Sequence, residues 1–253
     1  MKSNLFASAA QLLDHTDGRI REFNHHVQNV WSISCAAGAN GLVRYSLQLH
    51  HDRIGRLKLL AGDVANGLRH SLDHLIADAV KLTLGTTEAE HVRKRVKFPF
   101  PNDAGSIDKE LDGQRPYISD TFARVLADVF ARHARYHYHF RVLRDVSNNS
   151  KHWELELVAP DAFAVQLRPE GQPPKITEIP RDHFLSGKEF SWEGVPSRGV
   201  EFLTKMQFSG FPACPPDYPT PPCPDTVFST SRSYVADMIQ AFDAVGNAGY
   251  AVP

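Results

Sequence analysis

An α+β fold follows from a change of period along the chain. Before about residue 152 apolar residues recur every three or four positions, the spacing of one helix face. From Trp153 onward they alternate, as in WELELVA and AFAVQLR, which is the spacing of a half-buried strand. The longest helical run, Arg53 to Leu84, sets the centre. The expected architecture is a helical bundle around this one long central helix, with a small antiparallel sheet from the second half. Residues 1–152 would form the bundle with one early strand at 43–50. Residues 153–253 would add antiparallel strands, a Pro-rich loop and a C-terminal helix, packed on the bundle as one continuous domain.

Each element has a local reason. Residues 4–30 keep a helical period through Leu5, Ala9, Leu12, Leu13, Ile20, Phe23, Val27 and Val30. Cys35 to Gly41, CAAGANG, is small and flexible and reads as a loop. Val43, Tyr45, Leu47 and Leu49 alternate with polar residues, as in a strand. Gly85-Thr86-Thr87 ends the long helix, and Glu88 to Val96 reads as a short helix or a charged loop. KFPFP cannot be helical, because proline fixes its own backbone and restricts the preceding residue. Residues 102–116 are a polar connection with room for one short helix. Tyr117 to Ala134 reads as a helix capped by Ser119 or Asp120, and Tyr136 to Val146 as another helical segment. KITEI and VEFLTKMQF read as strands, with a loop around SWEGVPSRG. Residues 212–224 hold seven prolines and read as an extended, irregular segment. Ser229 to Val245 closes the chain as a helix.

Composition narrows the function classes. The 253 residues carry a net charge of −1, so no global field draws the chain to nucleic acid or an anionic membrane. No apolar run is long enough for a membrane span, and no signal-peptide core opens the chain. Three cysteines without a CxxC argue against a disulfide scaffold and a structural zinc site. Cys214 and Cys223 are spaced to pair, but a reduced pair in the cytoplasm is the expectation. Thirteen histidines raise interest in acid–base, metal or RNA chemistry.

The central helix carries most of that interest. At about 100° per residue, Leu60, Val64, Leu68, Leu72, Leu75, Ile76 and Ala79 share one face. Gly62, Asp63, Asn66, Arg69, His70, Asp73 and His74 share the other. That polar face holds short or fork-shaped groups suited to directed hydrogen bonds. Asn66, Arg69, His70 and Asp73 are three or four apart and can touch. Two readings stand: a functional surface, or a second helix interface with a satisfied polar network.

Within this face, Arg69 and His74 match the Arg-x4–6-His signature of HEPN domains, helical bundles that include metal-independent ribonucleases acting as dimers. Such chemistry needs an acid–base group for the 2′-OH proton and a fixed cation for the phosphate. Histidine and arginine suit those roles. Against it, Arg69 and His74 lie about 140° apart on one helix, so convergence needs a bend or a dimer. His70 and His74 also form an i, i+4 pair of possible metal ligands, with Asp73, His50 or His51 as further donors. No diagnostic third ligand accompanies them, and no metal or other cofactor is expected. RHARYHYHFR reads as a packing helix. LRDVSNNSKHW is a helix C-terminus whose Lys151 and His152 favour the helix dipole, or else a turn facing the central helix.

The order GDVANGLRHSLDHL, KFPF, GQRPY and LRDVSNNSKHWEL resembles a family of uncharacterised bacterial proteins with LRxxLDHL, FP, QPY and NxxKHR motifs. The likeness is clear over about residues 40–160. Trp153 departs from the usual arginine, and Arg115 separates Gln114 from Pro116. The family brings no established activity with it. The functional expectation is therefore a HEPN-like ribonuclease or RNA-binding protein of a defence or toxin type, active as a homodimer. Arg69 would hold phosphate, and His74 or His152 would move protons. Asn66, His70, Asp73, Asn148 and Lys151 would complete the binding surface. The competing expectation is a non-catalytic binding or scaffold module whose polar cluster is structural.

Overall fold

Helix α1 (Ala7–Val27) and helix α2 (His51–Leu84) frame the chain in the computed structural model. It describes residues 5–100, 106–149, 157–158, 163–179, 189–202, 207–208 and 223–248. All seven residues assigned to the apolar face of α2 are buried, from Leu60 to Ala79. Gly85, at φ 84°, breaks the helix, and α3 (Thr86–Val92) follows at once. Next come α4 (Ile107–Asp112), α5 (Asp120–His133) and α6 (His137–Asn149). As expected, Ser119 caps α5, its Oγ accepting from the Phe122 N–H at 3.3 Å. The last helix, α7, spans Pro224–Asn247. It starts earlier than the period predicts, because Pro224 occupies its first turn, where a missing N–H costs nothing.

The chain divides into two compact units, each assembled from separated segments. The first comprises Met1–Arg21, Ala61–Leu155 and Phe211–Pro253; the second comprises Glu22–Leu60 and Glu156–Gly210. Two of the boundaries, after Arg21 and after Leu60, fall inside α1 and α2.

The first unit is helical. α7 packs on α5 and α6. Phe122 of α5 stacks on Phe242 of α7 at 5.0 Å, and Phe6 meets both rings edge-on. Tyr234 of α7 stacks on Phe140 of α6 at 4.3 Å. Burial without a compensating charge pushes the Tyr234 phenol far above its ordinary pKa. The histidine-rich stretch packs against the same helix: His133 lies 2.9 Å from Asp237, and His139, fully buried, bonds Thr230 at 2.9 Å. α1 approaches α2 closely at Gly67. A Cβ there would collide with Thr16 Oγ1 and lie 3.1 Å from its Cγ2.

The second unit holds small antiparallel sheets. β1 (Trp31–Ala37), β2 (Val43–Leu49) and β6 (Phe190–Gly194) form one, in that spatial order. β5 (Lys175–Ile179), β4 (Phe163–Pro169) and β7 (Ser197–Phe202) form another. The short pair β3 (Leu157–Val158) and β8 (Gln207–Phe208) makes a third. Tyr45 and Leu47 from β2 bury against Val165 and Leu167 from β4, with Phe190 and Trp192 packed around them.

Two segments read as loops are strands. Cys35–Ala37 belongs to β1, because the hairpin across Asn40-Gly41 pairs Cys35 with Tyr45 and Ala36 with Arg44. Asn40 and Gly41 both take positive φ, as a tight turn requires. SWEG lies in β6, where Trp192 pairs with Tyr45 and stacks on its ring at 5.4 Å. The expected strand start at Trp153 and most of the Pro-rich segment lie outside the described residues.

Candidate functional site

The polar face of α2 faces two different sets of neighbours. Asn66 Oδ1 accepts from Ser147 Oγ of α6 at 2.8 Å. Arg69 Nη1 donates to Asn148 Oδ1 of α6, and Arg69 Nε lies 3.8 Å from Asp73 Oδ2. Its guanidinium carbon sits 6.0 Å above the Phe100 ring. Asp73 Oδ1 accepts the backbone N–H of Phe98 at 3.1 Å, and the neighbouring N–H of Lys97 reaches Gln114 Oε1 at 3.4 Å.

The four sequence segments singled out above therefore meet in one network. The helix motif supplies Arg69 and Asp73, the FP motif Phe98 and Phe100, the QPY-like motif Gln114, and the NxxKHR-like motif Asn148. The anchored FP segment is buried: Phe98 is 4% and Phe100 8% exposed. Their rings meet at 5.1 Å, and Phe98 lies edge-on to Tyr234 at 6.2 Å. Arg69 keeps 19% of its side chain exposed, so the network lies at the rim of the core.

His74 points elsewhere, as the helical wheel requires. Its Nδ1 is 3.3 Å from Ser8 Oγ of α1, and that hydroxyl donates to Asp78 Oδ2 at 2.9 Å. Lys81 Nζ holds the other Asp78 oxygen at 3.0 Å. A groove of about 320 Å³ adjoins this cluster, lined by His74, Asp78, Lys81, Glu90 and Arg93 over an apolar floor that includes Ala77 and Val80. Ser8 donates to Asp78, so it is not set up as a nucleophile deprotonated by His74.

The structure thus unites Asn66, Arg69, Asp73 and Asn148 and separates them from His74. His70 lies on the exposed side of α2. Lys151 and His152 lie outside the described residues. Among the described residues no three His, Cys, Asp or Glu side chains come together as metal ligands. No described helix is long and apolar enough to cross a membrane. Ser8, Asp78, Ser147 and the two FP phenylalanines are the participants that sequence reading missed. The phenylalanines and Ser147 sat in segments already singled out, and nothing local to Ser8 or Asp78 pointed to their partners.

No protein-family model matches the chain, and neither a curated protein nor a solved structure matches it.

Proposed function

We propose that this protein is a non-catalytic binding or scaffold module and that the polar line of α2 is a structural latch. The engagement of Arg69 carries the reading. Its fork meets Asn148 and Asp73, its plane covers Phe100, and Asp73 in turn holds the backbone of a buried segment. A phosphate-stabilising arginine needs its fork directed at a ligand. The groove beside His74 offers a place for a ligand on the helical unit. Its formal charges cancel with the imidazole neutral, Lys81 and Arg93 against Asp78 and Glu90. Such a groove suits a small amphoteric group better than a polyanion. The free, exposed thiol at Cys35 supports a reducing, cytoplasmic setting.

A HEPN-like ribonuclease is the second reading, favoured by the exposure of His74 beside Lys81 and Arg93. In that reading His74 moves the proton, and the phosphate ligand is a cation of this groove or Arg69 supplied across a homodimer. One experiment separates the two. Purified protein is incubated with mixed RNA in EDTA, beside Arg69→Ala and His74→Ala, and the three are melted in parallel. The latch predicts intact RNA in all three samples and a lowered melting temperature for Arg69→Ala. RNA cleavage that both substitutions abolish would replace it with the nuclease.

A further inference from the structure

A different cluster lies in the second unit, where the chain leaves α1 and enters α2. His25 and His26 end α1, Asn29 lies in the following turn, and Asp52, Arg53 and Arg56 occupy the first turns of α2. These six residues line one depression of about 510 Å³. Five of them carry nitrogen donors, and four of those are arginine or histidine. The two imidazoles stand edge to face at 5.6 Å. Fixed contacts hold the basic groups: Arg53 Nη1 donates to the Asn29 carbonyl at 2.6 Å, and Arg56 Nη2 to Glu22 Oε1 at 3.0 Å. Asn29 Nδ2 donates to the His25 carbonyl at 2.8 Å, tying the turn to the helix end. Each arginine fork spends one nitrogen on these contacts and keeps further N–H donors.

We propose that this depression binds a phosphate group, as inorganic phosphate or as a small phosphomonoester. Convergent guanidinium and imidazole donors are the groups that recognise a tetrahedral oxyanion. The charged neighbours of the two imidazoles are Glu22 on their own helix and Asp52, Arg53 and Arg56 on α2. In formal charge the two arginines are offset by Glu22 and Asp52, so the site recognises an oxyanion through directed N–H donors. No metal explanation competes, since no three ligating side chains converge among the described residues.

The test is calorimetric titration of the full chain with sulfate, phosphate and adenosine monophosphate. Sulfate and phosphate are both expected to bind, because both are tetrahedral oxyanions met by the same donors. Arg56→Gln should weaken phosphate by about five-fold or more, since it removes a charge-assisted donor. Asp52→Asn should tighten it, because it removes a repelling carboxylate. Tighter binding of the monophosphate than of phosphate assigns the site to an ester; equal binding assigns it to the free ion. The proposal is overturned if neither anion binds, or if both variants, melting like wild type, bind as wild type does.

Discussion

Substituting Asp73 tests the latch most directly, because its two oxygens do different work. Oδ1 accepts the N–H of Phe98, a residue 4% exposed, and Oδ2 lies 3.8 Å from Arg69 Nε. Asp73→Ala strands a buried backbone donor, which costs about 1–3 kcal/mol. It also removes an ion pair whose partners are 19% and 36% exposed, worth about 0–1 kcal/mol after solvent screening. The expected loss is about 2–3 kcal/mol, which for a chain of this size lowers the melting temperature by about 4–12 °C. Asp73→Asn keeps a carbonyl oxygen for Phe98 and loses only the charge, so its loss should stay near or below about 1 kcal/mol. Circular dichroism melts of the two variants beside wild type measure the difference. If Asp73→Ala melts with wild type, or if Asp73→Asn falls as far as Asp73→Ala, the latch as described is wrong.

Three other predictions rest on separate contacts. Gly67→Ala gains about 1 kcal/mol of helix propensity but drives a methyl into buried Thr16. Because Thr16 Oγ1 is held by the Leu12 carbonyl at 2.7 Å, the overpacking cost of about 1–3 kcal/mol should prevail; Thr16→Ala in the same chain should restore part of the loss in a double-mutant cycle. Ser231→Ala in α7 should leave stability unchanged or raise it by about 1 kcal/mol in urea titration, because its fully buried hydroxyl meets no hydrogen-bond partner among the described residues. Tyr234 sets an alkaline limit. Its folded-state pKa is raised above the ordinary 10.0, so the unfolded chain releases a proton that the folded chain keeps. The stability is intact below about pH 10 and falls above it by up to about 1.4 kcal/mol per pH unit. Tyr234→Phe should remove that part of the slope in urea titrations carried out across pH 9 to pH 11.

The helical half was legible because a helix is a local pattern. The α2 wheel sorted Leu60 through Ala79 to the inside with no knowledge of what they pack against, and every one is buried. β1 was not legible in the same way. Cys35-Ala36-Ala37 carries no period of its own, and only pairing with Tyr45, Arg44 and Val43 makes it a strand. The signal that would have found it is Asn40-Gly41, a hairpin turn flanked by the alternating WSIS and VRYS. SWEG failed for the same reason, since its strand depends on β2, far away in sequence. At the site, the wheel drew the line Asn66, Arg69, Asp73, and of the turn expected to face it the described residue Asn148 meets Arg69. The contacts that decide its meaning were hidden. The Phe98 N–H on Asp73 and the Ser8 hydroxyl beside His74 are tertiary meetings that no spacing along the chain announces.

Those hidden contacts change what motif density on α2 implies. A run such as LRHSLDH invites a catalytic reading because arginine, aspartate and histidine stand close together in sequence. On a helix, neighbours in sequence separate in angle, and here the separation divides the run between two tasks. Arg69 and Asp73 turn toward α6 and the FP segment, whose proline-bearing backbone cannot make helical hydrogen bonds and so needs side-chain acceptors once buried. His74 turns toward α1 and an open groove. In the latch reading the polar line permits a non-helical segment to place Phe98 and Phe100 among the packed helices. An arginine and an aspartate are suited to that task for the same reason they suit catalysis: each makes several directed hydrogen bonds from one position. Short, fork-shaped polar groups on a core helix therefore point first to whatever irregular backbone the helix must hold. A nuclease would need a phosphate to displace Asn148 and Asp73 from Arg69, loosening the anchor of the segment beside it.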